Sequence, residues 1–198
     1  KKDKTLAEYI FIALILMVIF EAFSAAVVYF PLINGAFAIL FTLILFVVSW
    51  KHIPVGFAVI VAELMIGSKG ELYKLGADLE NNGGISIRML FFVAFLLAWV
   101  IKTDWKTSFP ELKRWFWKRK EYLVLAALLV FAFIYGLIRN NPFVLQDANA
   151  WGFLLLLVPA IDLARRYGKR LFQPVVAAIF AGVSYVSAKT VFLFYLFS

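Results

Sequence analysis

Seven long apolar runs constrain this chain more than any other feature of its sequence. They cover residues 6–30, 33–50, 53–68, 85–101, 122–138, 150–164 and 172–198. A helix that crosses the hydrocarbon core of a bilayer needs about 20 apolar residues, with a usable range of roughly 17–25. Most of the runs meet that length. The third and sixth are short, so they must tilt, re-enter or extend into their flanking loops. Only Pro31 and the Asn34-Gly35 turn signal separate the first run from the second. Seven crossings is the favoured count and six the alternative, which makes the expected fold class all-α, a polytopic transmembrane helix bundle.

Composition agrees. Hydrophobic residues make up 64% of the 198 and charged residues 16%. A soluble domain must turn a polar outside to water and has no use for so much apolar surface. The length suits one bundle spanning 1–198. The chain begins at Lys1 and stops at Ser198 inside an apolar run, which reads as the amino-terminal portion of a longer protein. No cleavable signal peptide is evident, because the first run is too long and lacks a small-residue cleavage site.

The net charge of +8 would raise the question of nucleic acid in a soluble protein. Here the positions of the charges answer it. With the amino terminus inside, the cytoplasmic stretches are 1–5, 51–52, 102–121 and 165–170, and they hold 15 of the 20 basic residues. The outer loop 67–84 carries only Lys69 and Lys74 against Glu71, Asp78 and Glu80. Dropping or adding one helix would put a strongly basic loop outside, against the positive-inside rule. The partners implied are membrane lipids, not nucleic acid. Trp50, Trp99 and Trp105 fall at inner boundaries and Trp151 at an outer one, as aromatic belts do.

The loop 102–121 has structure of its own. Ser108 and Glu111 are spaced as in a capping box, and Pro110 suits a first helical turn. Leu112, Trp115 and Phe116 then share one helical face, while Lys113, Arg114, Lys118 and Arg119 cover the rest. Residues 108–120 read either as an amphipathic helix lying at the inner interface or as a basic anchor leading into the next span.

Ionisable groups within spans are costly, and they face a cavity or a partner. By depth, Glu21, Glu63, Arg88, Arg139, Asp147 and Lys189 gather toward the outer face from separate helices. Glu8 and Asp162 sit near inner ends, where snorkelling or the neighbouring Arg165 accommodates them. Cations at the outer level suit an anionic headgroup such as a lipid-borne phosphate. Mutual pairing, for example of Glu63 with Arg88, is the plainer reading of any single residue. For the six together the expectation is a polar cavity open to the outside. Arg139-Asn140-Asn141-Pro142 would help line it, while Asp147 or Asn149 equally suits the role of helix cap.

Catalytic motifs are missing. There is no cysteine and one histidine, His52, placed beside Lys51 on the inner side as an interfacial residue. A His/Cys zinc site, an iron–sulfur cluster or a disulfide is therefore not expected, and no cofactor is assigned. Gly67-Ser68-Lys69-Gly70 lacks the spacing of a phosphate loop.

Two segments carry a family resemblance: Gly84-Ile85-Ser86-Ile87-Arg88-Met89-Leu90-Phe91-Phe92, and Arg139-Asn140-Asn141-Pro142 with Asp147-Ala148-Asn149-Ala150-Trp151 leading to Pro159. With the order of helices and loops, they resemble the O-antigen ligase/polymerase-like superfamily. The resemblance implies a GT-C-like, metal-independent membrane glycosyltransferase of the bacterial inner membrane. Such an enzyme moves glycan from an undecaprenyl-pyrophosphate carrier at the periplasmic face, and it uses outer-face arginines to hold the pyrophosphate. Arg88 and Arg139 are the matching positions. The family's catalytic histidine lies in a later periplasmic loop, and this chain has no histidine on that side. Two other functions stay open, a transporter or flippase for a lipid-linked glycan and a non-catalytic accessory subunit whose charges serve assembly. Midplane charges and internal repeats would mark a transporter, and neither is evident.

Overall fold

The computed structural model describes residues 5–27, 30–66, 73–75, 85–141 and 152–197. These residues are overwhelmingly helical. The helices are α1 Leu6–Val27, α2 Pro31–Lys51, α3 Ile53–Ile66, α4 Ile87–Lys102, α5 Trp105–Lys118, α6 Lys120–Ile138, α7 Leu157–Tyr167 and α8 Lys169–Phe197, with a 3-10 turn over Phe153–Leu156 before α7. Four of them, α1, α2, α6 and α8, are long and apolar enough to cross a membrane. At 1.5 Å per residue the 14-residue α3 is about 21 Å long, short of the roughly 30 Å hydrocarbon core. The chain forms two compact units, Lys1–Lys102 with Tyr167–Ser198, and Thr103–Arg166.

In the first unit, α3 packs on α8, α4 and α2, and α1 packs on α8. Local chemistry sets the helix ends. Thr5 and Glu8 form a reciprocal capping box at the start of α1, with Thr5 N–H donating to Glu8 Oε2 at 2.8 Å and Glu8 N–H donating to Thr5 Oγ1 at 3.3 Å. Glu8 thus has a capping role as well as a place to snorkel. His52 alone joins α2 to α3: its N–H donates to Val48 O, and its carbonyl accepts from Val55 and Gly56. Lys102, at the end of α4, donates its Nζ to Trp50 O in the last turn of α2 and lies 5.7 Å from the Trp50 ring centroid. A cation at that place satisfies a carbonyl the helix leaves open and favours the negative end of its dipole.

Close approach between helices depends on small residues. A Cβ on Gly56 would stand 2.1 Å from Ser49 Oγ and 2.9 Å from Ser49 Cα, so α2 and α3 meet where only hydrogen fits. On α8, Ala177, Ala178, Ala181 and Gly182 are buried, and a Cβ on Gly182 would be 2.7 Å from Met65 Cβ. Without a hydrophobic drive between helices in lipid, such contacts supply packing.

Between α3 and α4 the chain forms a short antiparallel ladder, Lys74 opposite Ser86 and Leu75 opposite Ile85. Just before it Tyr73, fully buried, enters an aromatic cluster. Its ring centroid is 4.9 Å from Phe20 and 5.3 Å from Phe41, and its hydroxyl donates to Phe20 O at 2.9 Å. Burial pushes the phenol up to about 12, so it stays protonated and donating at neutral pH.

In the second unit α5 starts one turn earlier than the Ser108 capping box predicts. Asp104 is the N-cap, accepting from Lys106 N–H at 3.2 Å, and Pro110 lies inside the helix. Asp104 takes this role because a carboxylate just before the first turn satisfies its open N–H groups. Ser108 instead accepts from Arg166 Nη2 at 2.5 Å. Of the expected apolar face only Leu112 is buried, with Trp115 and Phe116 half-buried, while Phe109 and Trp117 are exposed. Trp115 lies 5.1 Å from Tyr122 and 5.8 Å from the Arg119 guanidinium, tying α5 to α6. Helix α6 buries none of its residues. Asp162 pairs with Arg166 (2.8 Å), where snorkelling or the neighbouring Arg165 was expected to accommodate it. Four-residue spacing puts the first two on one helical face. Arg165 instead reaches Glu111 at 3.4 Å.

Candidate functional site

Helices α3 and α4 position the first pair of candidate residues. Glu63 comes near the end of α3 and Arg88 is the second residue of α4. Arg88 Nε donates to Glu63 Oε2 at 2.8 Å, with the Glu63 side chain 6% exposed and that of Arg88 18%. A charge-assisted bond of this length, shielded from solvent, is strong, yet each group has also lost its hydration. The other carboxylate oxygen, Glu63 Oε1, is buried without a hydrogen-bond partner among the described residues.

The second pair joins α1 to α8. Lys189 Nζ and the Tyr185 hydroxyl both donate to the Glu21 carboxylate. Tyr185 and Lys189 are four apart, so one face of α8 presents both donors to one acceptor group. Tyr185 was not singled out from sequence. Its spacing from Lys189 is the signal that would have found it.

Arg139 belongs to the second unit. Asn140, at φ 52°, ends α6 in the left-handed region that asparagine tolerates. Asn141 N–H donates to Gly136 O and Asn140 N–H to Leu137 O, each at 3.1 Å, completing a Schellman stop. The Asn-Asn pair is thus first a helix terminator. It leaves Arg139 exposed at the helix end, with Nε donating to Tyr135 Oη at 3.1 Å and the guanidinium 5.3 Å from that ring centroid. Among the described residues no carboxylate pairs with it. Asp147 and Asn149, with the rest of that loop, lie outside the described residues, as does Gly67-Ser68-Lys69-Gly70.

Of the six charged residues expected at the outer face, four therefore form two ion pairs within the first unit, one lies on an exposed helix end of the second unit, and one is not described. The first unit also contains a cavity of about 210 Å³. It is lined almost wholly by apolar side chains. Its wall comes from one face each of α1 and α3, completed by Phe91 of α4 and by Pro174, Ala177 and Ala178 of α8, with Glu63 and Tyr9 as its polar members. No three His, Cys, Asp or Glu side chains come together as a metal site among the described residues.

No family model, no curated protein and no solved structure matches this chain.

Proposed function

We propose that this chain is a seven-crossing protein of the bacterial inner membrane, amino terminus inside, that takes an anionic lipid-linked glycan at its outer face. It acts in the manner of the O-antigen ligase/polymerase-like enzymes it resembles, with undecaprenyl pyrophosphate as the carrier. Arg139 carries the reading. It is an exposed guanidinium at the outer end of an apolar helix, held on Tyr135 and opposed by no carboxylate among the described residues. A guanidinium has five donors in a fork that matches phosphate oxygens, and such contacts stabilise a departing pyrophosphate without metal.

Seven crossings also reconcile the basic segments. If α7 did not cross, 165–170 would join the outer side. Helices α3 and α4 are consecutive, so they cross together or re-enter together without changing the side of any later loop. The chain has no native cysteine, so single cysteines map topology directly. At position 113 labelling should come only from the inside, and at 141 only from the outside. The opposite pattern removes the outer-face reading.

The functional test is binding of radiolabelled undecaprenyl pyrophosphate to the purified chain in nanodiscs. Arg139→Ala should weaken binding by about 10- to 100-fold, the worth of a hydrogen bond to a charged group, with Arg139→Lys intermediate. Equal affinity in all three chains refutes the proposal. One observation favours a second reading, an accessory subunit whose charges serve assembly: Glu21, Glu63, Arg88 and Lys189 are all engaged in pairs between helices. That reading expects no carrier binding at all.

A further inference from the structure

Helix α5 is tied to the start of an apolar helix long enough to cross a membrane. It ends at Lys118 and α6 begins at Lys120, with Arg119 alone between them. Trp115 packs on Tyr122 in the first turn of α6, and the Arg119 guanidinium lies over the Trp115 ring. These contacts hold α5 beside the end of that helix.

The apolar face read from the sequence is turned inward. Leu112 is buried, and Trp115 and Phe116 are half-buried. Ser108, on the same side, accepts from Arg166. A different face points out. Lys106, Phe109, Lys113 and Trp117 recur at three- and four-residue spacing, so they share one stripe about 17 Å long. All four are exposed, Phe109 by 60% and Trp117 by 61%. Arg114 and Lys118 flank the stripe and are exposed as well. None of these four cations forms an ion pair among the described residues. Glu111, the only carboxylate within α5, reaches Arg165 on another side of the helix.

Two bare aromatic rings set among four uncompensated cations limit what can cover this face. Water leaves the rings unburied, and hydrocarbon alone would strand the cations. The headgroup level of an anionic leaflet suits both, because the rings reach the acyl boundary while lysine and arginine meet phosphates. Each basic residue near such a surface is worth roughly a fivefold change in partition.

We propose that this stripe of α5 docks on anionic phospholipid headgroups. Phe109 and Trp117 enter the interface, and Lys106, Lys113, Arg114 and Lys118 contact the lipid phosphates. The proposal goes beyond the glycan-carrier reading and stands without it, since it uses no residue of that site.

The chain has no native cysteine, so a nitroxide can be placed singly by Phe109→Cys or Trp117→Cys in the full chain. Its collisions with lipid-soluble oxygen and with a water-soluble nickel chelate are compared in two kinds of nanodisc. One is phosphatidylcholine alone, and the other contains phosphatidylglycerol as well. Oxygen should dominate at both positions in the anionic nanodiscs, and the chelate in the zwitterionic ones. Lys106→Gln combined with Lys113→Gln should lower the ratio of immersed to water-exposed label about 25-fold in the anionic nanodiscs. Salt at about 1 M, where the Debye length is about 3 Å, should act in the same direction with both lysines intact. Equal immersion in the two lipids, or immersion unchanged by both the double variant and salt, would overturn the proposal. So would a label shielded from both reagents, which marks a protein partner or a second copy on this face.

Discussion

Replacing Arg88 with methionine removes a guanidinium from a carboxylate 2.8 Å away in a wall where Glu63 is almost wholly buried. At an effective dielectric constant of 20, two unit charges at that distance attract by about 6 kcal/mol. Removing one partner of a buried pair strands the other charge and costs about 3–5 kcal/mol, so Arg88→Met should destabilise the bundle by about 3–5 kcal/mol. Glu63→Gln combined with Arg88→Met leaves no buried charge and should cost much less than the sum of the two single changes. Reversible unfolding in mixed micelles, over the four proteins of the cycle, gives the coupling directly. A loss of under about 1 kcal/mol in Arg88→Met, or a double variant that loses the full sum, would refute the description of these residues as a buried pair.

Two more outcomes follow from packing. Gly56→Ala places a methyl 2.9 Å from Ser49 Cα, a backbone atom that cannot rotate away, so α2 and α3 must separate. A cost of about 1–3 kcal/mol is expected in the same unfolding assay, and an unchanged midpoint would mean that the two helices do not approach this closely. Tyr73→Phe removes the bond to Phe20 O and should cost about 1 kcal/mol at neutral pH. Because the folded-state value of Tyr73 is raised from 10.0 to about 12, its contribution is complete below pH 10 and fades as pH rises toward 12. That rise is worth about 2.7 kcal/mol against a gap of about 1 kcal/mol, so the stability gap between the two proteins should close and then reverse before pH 12, and a gap that widens in favour of tyrosine contradicts the buried phenol.

Much of the architecture was legible in the sequence. Each of the seven apolar runs contains a helix, and the clustering of lysine and arginine between runs is a property of order along the chain, which folding does not alter. Local capping is equally a matter of a few neighbouring residues. Thr5-Leu6-Ala7-Glu8 carries a capping-box signature, and Asp104 precedes its helix as an N-cap should, though the later Ser108 and Glu111 drew attention to the wrong turn. Helical spacing alone brings Arg166, like Arg165, within reach of Asp162.

The pairing of charges between helices is different. In α1 and α3 apolar residues surround the axis, so the sequence carries no signal of which face turns inward. The rotation of each helix, and with it the partner of Glu21 or Glu63, is set by where small residues such as Gly56 and Gly182 let backbones close in. Depth is a one-dimensional quantity, and its expected value for each charge comes from the chain's order alone. Which of the six charges meet, that the space beside Glu63 is apolar, and that one oxygen of Glu63 is left without a donor among the described residues were decided only when the helices packed, because each depends on neighbours dozens of residues away in the chain.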